Sequence, residues 1–153
     1  ESRLAPLRKI FPTCEFVLYD DICNMTFMPE IIIAGEVIEH VENPGDFLRR
    51  LSNCGDENTK LLLTTPNAQS LKSALRAIFG KEFSHPDHVV LFSTKTLDVL
   101  LGNCGWGGNK FSYYFAQPTT MKGRLADIFF RIFRAVSSPR IGDGLMVMSS
   151  RKA

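Results

Sequence analysis

The stretch from Glu30 to Asn67 leaves this chain few folds to choose from. Ile31-Ile32-Ile33-Ala34-Gly35 is a short apolar run rich in β-branched residues, the pattern of a parallel strand covered on both faces. Glu36-Val37-Ile38-Glu39-His40 follows, placing three ionisable groups where the strand gives out. Asn43-Pro44-Gly45-Asp46 then carries the marks of a helix start. Asn43 can cap, Pro44 suits the first helical position, and Asp46 favours the first turn. The helix is expected over Phe47 to Asn53, stopped by Gly55. Lys60-Leu61-Leu62-Leu63-Thr64-Thr65 is a second buried strand, ending at Pro66-Asn67. Together these make a βαβ unit whose crossover should be right-handed. In open α/β sheets, ligands sit outside the carboxyl ends of the strands, so Glu36, Glu39, His40, Thr65 and Asn67 fall on a binding rim.

The rest of the chain fits one domain around that unit. Its 153 residues suffice for a single core, and 44% hydrophobic residues describe a soluble globular chain. A net charge of +2 demands no nucleic-acid partner, and none is expected. Cys14, Cys23, Cys54 and Cys104 show no CxxC spacing. That argues against a zinc site or a disulfide framework, and for reduced thiols in a cytoplasmic compartment. Neither a signal peptide nor a long apolar span is read. Because the chain starts at Glu1 without a methionine, it is expected to be part of a longer polypeptide. A natural domain that lost its first part is the other reading.

Along the chain, Ser2 to Phe11 reads as a short amphipathic helix ended by Pro12. Glu15 to Tyr19 is strand-like and ends at Asp20-Asp21. After Asn67, a helix over roughly residues 70–79 puts Leu71, Leu75, Ile78 and Phe79 on one side, with Gly80 as its stop. Phe83-Ser84-His85-Pro86-Asp87-His88 is a polar turn. A further helix, Leu97 to Leu101, leads into a glycine-rich stretch from Gly102 to Gly108. That stretch follows a helix rather than a strand, so it is read as a flexible turn, with Trp106 as a core anchor. Phe111 to Phe115 and Gly144 to Ser149 are the last strands. Between them, Leu125, Ile128, Phe129, Ile132, Phe133 and Val136 give residues 121–136 the strongest helical period in the chain. This helix can pack on the sheet, cover an acceptor pocket, or rest as a peripheral contact on an anionic membrane.

Gly35-Glu36-Val37-Ile38-Glu39-His40-Val41, followed by Asn43-Pro44 and then Thr64-Thr65-Pro66-Asn67, resembles the class I S-adenosylmethionine-dependent methyltransferases. The likeness is greatest to the branch with the ubiquinone-biosynthesis O-methyltransferases. It covers roughly residues 14 to 150, the later two-thirds of that fold. The resemblance implies an α/β, Rossmann-like sheet, mostly parallel, with helices on both faces and the N-terminal part missing. Residues 1–153 would form one methyltransferase-like domain with an insertion at about 118–138. The family's glycine-rich cofactor loop has no counterpart here, and neither does the acid that holds the ribose hydroxyls. By resemblance, Asp20 or Asp21 would accept from the adenine amine of S-adenosylmethionine, with Glu36 on the same side of the cofactor. On the residues alone, Asp20-Asp21 is equally an acidic turn that terminates a strand.

If the segment after the first strand turns helically, Glu36, Glu39 and His40 share a face at i, i+3 and i+4. Two carboxylates and an imidazole can hold a divalent ion, with magnesium, manganese and zinc all open. The resembled branch is thought to use its ExxEH motif in this way. His88 or His85 would supply a further ligand or a general base. Without metal, His40 and His88 serve as catalytic proton acceptors or acceptor contacts, or the whole set is architectural. The expected activity is methyl transfer, at oxygen, to a small molecule, a lipid intermediate or a sugar. A non-catalytic binding or scaffolding module is the alternative, and a metal-dependent hydrolase a third reading.

Overall fold

The computed structural model describes residues 9–10, 12–13, 28–80, 85–115 and 139–152. Within them lie strands β1 (Ile31–Gly35), β2 (Lys60–Pro66), β3 (Trp106–Tyr114) and β4 (Gly144–Arg151), and helices α1 (Pro44–Asn53), α2 (Leu71–Ile78) and α3 (Thr94–Asn103). Single 3₁₀ turns cover Ile38–His40 and Pro139–Ile141. Most of the helix expected over Ser2–Phe11 lies outside the described residues. So do the strand expected at 15–19, with Asp20 and Asp21, and the helix expected at 121–136.

The strands form one sheet in the order β1-β2-β4-β3. β1 and β2 pair in parallel, from Ile31 opposite Lys60 to Gly35 opposite Thr64. This is the βαβ unit read from the sequence, with α1 as its connection. β4 then runs antiparallel between β2 and β3, so the described sheet is mixed. That arrangement, with helices packed on it, is the α/β Rossmann-like fold expected from the resemblance.

Side-chain alternation puts Ala34, Leu61, Leu63, Leu145 and Val147 on one face of the sheet, where they are buried. Phe47, Leu48 and Leu51 of α1 and Leu97 and Leu101 of α3 complete this core. The helices begin where their caps predict. Asn43 Oδ1 accepts from Asp46 N at 3.0 Å, with Pro44 at the first helical position. Ser93 and Thr96 form a reciprocal capping box on α3, which starts earlier than Leu97 for that reason. α2 is capped by Ser70, but none of its residues is buried. Its stripe stays open, with Ile78 75% and Phe79 76% exposed.

The stretch from Gly102 to Gly108 is not the flexible turn that its composition suggests. α3 continues to Asn103, Gly105 reverses the chain at φ 87°, and β3 begins at once with Trp106. The indole explains the difference. Trp106 is fully buried, and its Nε1–H donates to Leu48 O at 3.0 Å, which fixes the strand start against α1. No helix among the described residues is long and apolar enough to cross a membrane.

Candidate functional site

The carboxyl ends of β1 and β2 set the site. Immediately after β1, Glu36 takes φ 51°, the only positive value among the described non-glycine residues. A residue with a Cβ is uncommon there and needs support from its surroundings. Thr64 supplies it: its carbonyl accepts from Glu36 N at 3.0 Å and its hydroxyl at 3.2 Å. The backbone at Val37 is not helical, and only Ile38–His40 closes a 3₁₀ turn. The expectation that Glu36, Glu39 and His40 share one helical face is therefore corrected. The left-handed turn sends the Glu36 carboxylate to Tyr114, whose Oη donates to Oε1 at 2.6 Å.

Glu39 goes the other way. Its side chain is fully buried, and Oε2 accepts from the Thr65 hydroxyl at 3.1 Å. Its backbone carbonyl accepts from Val89 N at 2.7 Å. That bond lays the segment around residues 85–90 over the 3₁₀ turn and carries His88 to His40, with ring centroids 4.7 Å apart and edge-on. Glu39, His40 and His88 each offer one ligand atom within 4.8 Å of the others. Glu36 is outside this set. His85 stays in solvent beside Asp87, its Nδ1 3.5 Å from the carboxylate, and does not join either.

Hydrogen bonding fixes which His40 nitrogen is available. Nδ1 lies 3.1 Å from Asp87 O, and a carbonyl only accepts, so Nδ1 carries the hydrogen. The neutral ring then presents the Nε2 lone pair, 3.9 Å from Glu39 Oε1. Two buried atoms here have no hydrogen-bond partner, Glu39 Oε1 and His88 Nδ1. Leaving such atoms unpaired costs about 1–3 kcal/mol each. Both belong to the Glu39, His40 and His88 set.

Other rim residues turn out to be structural. Asn67 Nδ2 donates to Arg140 O and Gly142 O at 2.9 and 2.8 Å, and Oδ1 accepts from Gln69 N at 3.0 Å. The side chain is consumed in tying the end of β2 to the approach to β4. Beyond it, a cleft of about 550 Å³ opens between α3 and β3, lined by residues including Gln69, Lys95, Phe111, Tyr113 and Arg140.

Tyr114 is the site residue that sequence reading missed. It ends β3 directly opposite Gly144, and a Cβ at Gly144 would run into the phenol ring carbon Cζ. The ring thus crosses the sheet over a glycine to reach Glu36. A strand-final tyrosine followed by a glycine-initiated strand is the only trace of this contact in the sequence. Burial, then the Glu36 hydrogen bond and charge, push the phenol well above its ordinary value; the Thr64 hydroxyl beside it pulls the other way. Tyr114 is therefore a proton-bearing donor.

A methyltransferase-domain family matches residues 21–107, more than half of the chain. No curated protein matches it. Among solved structures it is similar to an S-adenosylmethionine-dependent methyltransferase of Archaeoglobus fulgidus, at 13% identity and TM-score 0.59, covering 95% of this chain and 71% of that one. A Thermotoga maritima relative, a possible histamine N-methyltransferase, gives 15% identity and TM-score 0.65, covering 98% and 70%. The methyltransferase domain of the citrinin polyketide synthase gives 15% and 0.62, covering 99% and 37%. The fold is common to all three. The chain belongs to the methyltransferase-domain family, and its fold is that of the class I S-adenosylmethionine-dependent methyltransferases.

Proposed function

We propose that the chain carries the acceptor-side part of an S-adenosylmethionine-dependent methyltransferase acting at an oxygen of a small molecule, a lipid intermediate or a sugar. The supporting observation is the convergence of Glu39, His40 and His88 at the carboxyl ends of β1 and β2, with the buried Glu39 Oε1 and His88 Nδ1 unpartnered. Methyl transfer asks little covalent chemistry of a protein. The sulfonium is already a good leaving group, so the enzyme aligns donor and nucleophile and removes a proton. His40 Nε2, on a ring held by the Nδ1 bond to Asp87 O, would take that proton. Asp20 or Asp21, together with Glu36, are assigned to the cofactor side. We assign the chain to a cytoplasmic setting, in keeping with four cysteines that show no CxxC spacing.

The same three side chains fit a divalent ion. One carboxylate and two imidazoles, two of them with an unpaired buried atom, suit zinc or manganese better than magnesium, which prefers oxygen ligands. Glu39, His40 and His88 would hold it, and it would supply Lewis acidity that lowers the pKa of an acceptor hydroxyl. Glu36, bound to Tyr114, is left out of this set.

Calorimetric titration with zinc and manganese, paired with methyl-transfer assays, tests both forms. If a metal is held, His40→Ala and His88→Ala should each weaken its binding at least tenfold, and chelation should abolish transfer. As a base alone, His40→Ala should lower turnover at neutral pH and recover toward high pH, with chelators inert. Full activity in a metal-stripped His40→Ala enzyme would reject both roles. Failure of the protein to bind S-adenosylmethionine would favour a non-catalytic binding module.

A further inference from the structure

We propose that Tyr114 is a positioning residue for Glu36, fixing one carboxylate oxygen so that the other is presented to a hydroxyl or amine donor of the cofactor. The inference rests on the reading of Glu36 as a cofactor-side residue and adds the device that aims it.

Three observations converge. First, Glu36 sits in a left-handed conformation that its own chemistry does not favour, so an outside constraint must select it. Thr64 constrains the backbone through two bonds to Glu36 N. Second, the carboxylate of this exposed residue would otherwise sample several rotamers. The 2.6 Å bond from Tyr114 Oη to Oε1 removes that freedom. It leaves Oε2 with no partner among the described residues. Third, the tyrosine comes from the far edge of the sheet, and its path exists only because Gly144 has no side chain. A phenol carried across β4 to the end of β1 is more than a local surface contact, because its reach depends on Gly144 and Thr64 together.

The device has a chemical logic. A tyrosine that remains a donor at all physiological pH keeps Oε1 occupied, so Glu36 meets a ligand with one acceptor oxygen at a fixed angle. Pre-set acceptors lose less rotamer entropy on binding than free ones. The contact also links the strand that ends at Tyr114 to the residue facing the cofactor. Displacement of that strand would then be felt as a loosened Glu36.

The test is calorimetry with S-adenosylhomocysteine on the protein, comparing wild type, Tyr114→Phe, Glu36→Gln and the double variant. Tyr114→Phe is expected to weaken binding about five- to tenfold. Glu36→Gln should weaken it at least as much, and the double variant should be no weaker than Glu36→Gln alone. Melting temperatures taken alongside separate this from loss of fold. If Glu36→Gln binds as wild type, the cofactor-side reading of Glu36 is wrong and the inference goes with it. If Glu36→Gln loses affinity while Tyr114→Phe does not, Glu36 acts unaided and only the inference fails. Additive losses in the double variant overturn it too. Ultraviolet titration of the tyrosines supplies a readout independent of affinity. One of them should ionise far later than the others, and earlier in Glu36→Gln; simultaneous ionisation of all in the wild type would reject the contact itself.

Discussion

A single hydrogen atom at Gly144 decides whether the ends of β1 and β3 communicate. A methyl group there would run into Tyr114 Cζ and Oη, so the ring must swing aside and give up Glu36. Gly144→Ala should therefore break the Tyr114–Glu36 contact and cost about 1 kcal/mol, the range for one hydrogen bond. The contact also leaves a signature in alkali. The folded chain holds the Tyr114 proton more tightly than an unfolded tyrosine, whose value is about 10. Stability from this source is therefore complete below about pH 10 and is lost as pH rises through the folded value. Thermal melts between pH 8 and 11 should show the decline in wild type and a smaller one in Tyr114→Phe. An identical alkaline decline in both would mean that the phenol is not held as described.

At the scale of elements, the sequence was most legible where local chemistry and burial agree. Asn43-Pro44 announced α1 because capping needs only neighbouring residues, and the cap is made as expected. The β1-α1-β2 unit was readable because both strands are continuous apolar runs. The Gly102–Gly108 stretch misled because glycine content speaks of backbone freedom, whereas Trp106 speaks of burial, and burial prevailed. The site was legible in part for a related reason. Glu39 and His40 are neighbours, but the face they share with Glu36 assumed a helical turn that Thr64 prevents by binding Glu36 N. His88 was a candidate on chemistry alone, and its approach depends on the Val89–Glu39 backbone bond, which no local pattern encodes. Trp106 offers the test at this scale. Trp106→Phe removes both the bond to Leu48 O and part of a fully buried ring, and should cost about 2–4 kcal/mol in chemical denaturation. A change below about 0.5 kcal/mol would mean that α1, α3 and β3 are held together elsewhere.

Across the whole molecule, the described core is one-sided. α1 and α3 cover one face of the sheet, while Ile31 and Ile33 on β1 and Met146 on β4 are exposed on the other, Ile33 to 72%. Among the described residues β1 pairs only with β2, so its outer edge has no ladder partner there. The sequence lacks a glycine-rich turn that would let a backbone approach the methionine end of a cofactor. We propose that Glu36 with Asp20 or Asp21 serves one side of such a ligand. Affinity built from one side of a ligand is weak, because the ordering cost is met by few contacts. The 153-residue chain is accordingly expected to bind S-adenosylmethionine at least a hundredfold less tightly than a longer polypeptide carrying a strand and glycine-rich loop upstream. Calorimetry on both measures this directly. Hydrogen exchange adds the structural half: the amides of Ile31 and Ile33 should exchange more slowly in the longer polypeptide as a new strand covers the β1 edge. Equal affinity in the two would place the cofactor contacts within the chain itself, and the acceptor-side assignment of Glu39, His40 and His88 would have to be redrawn around them.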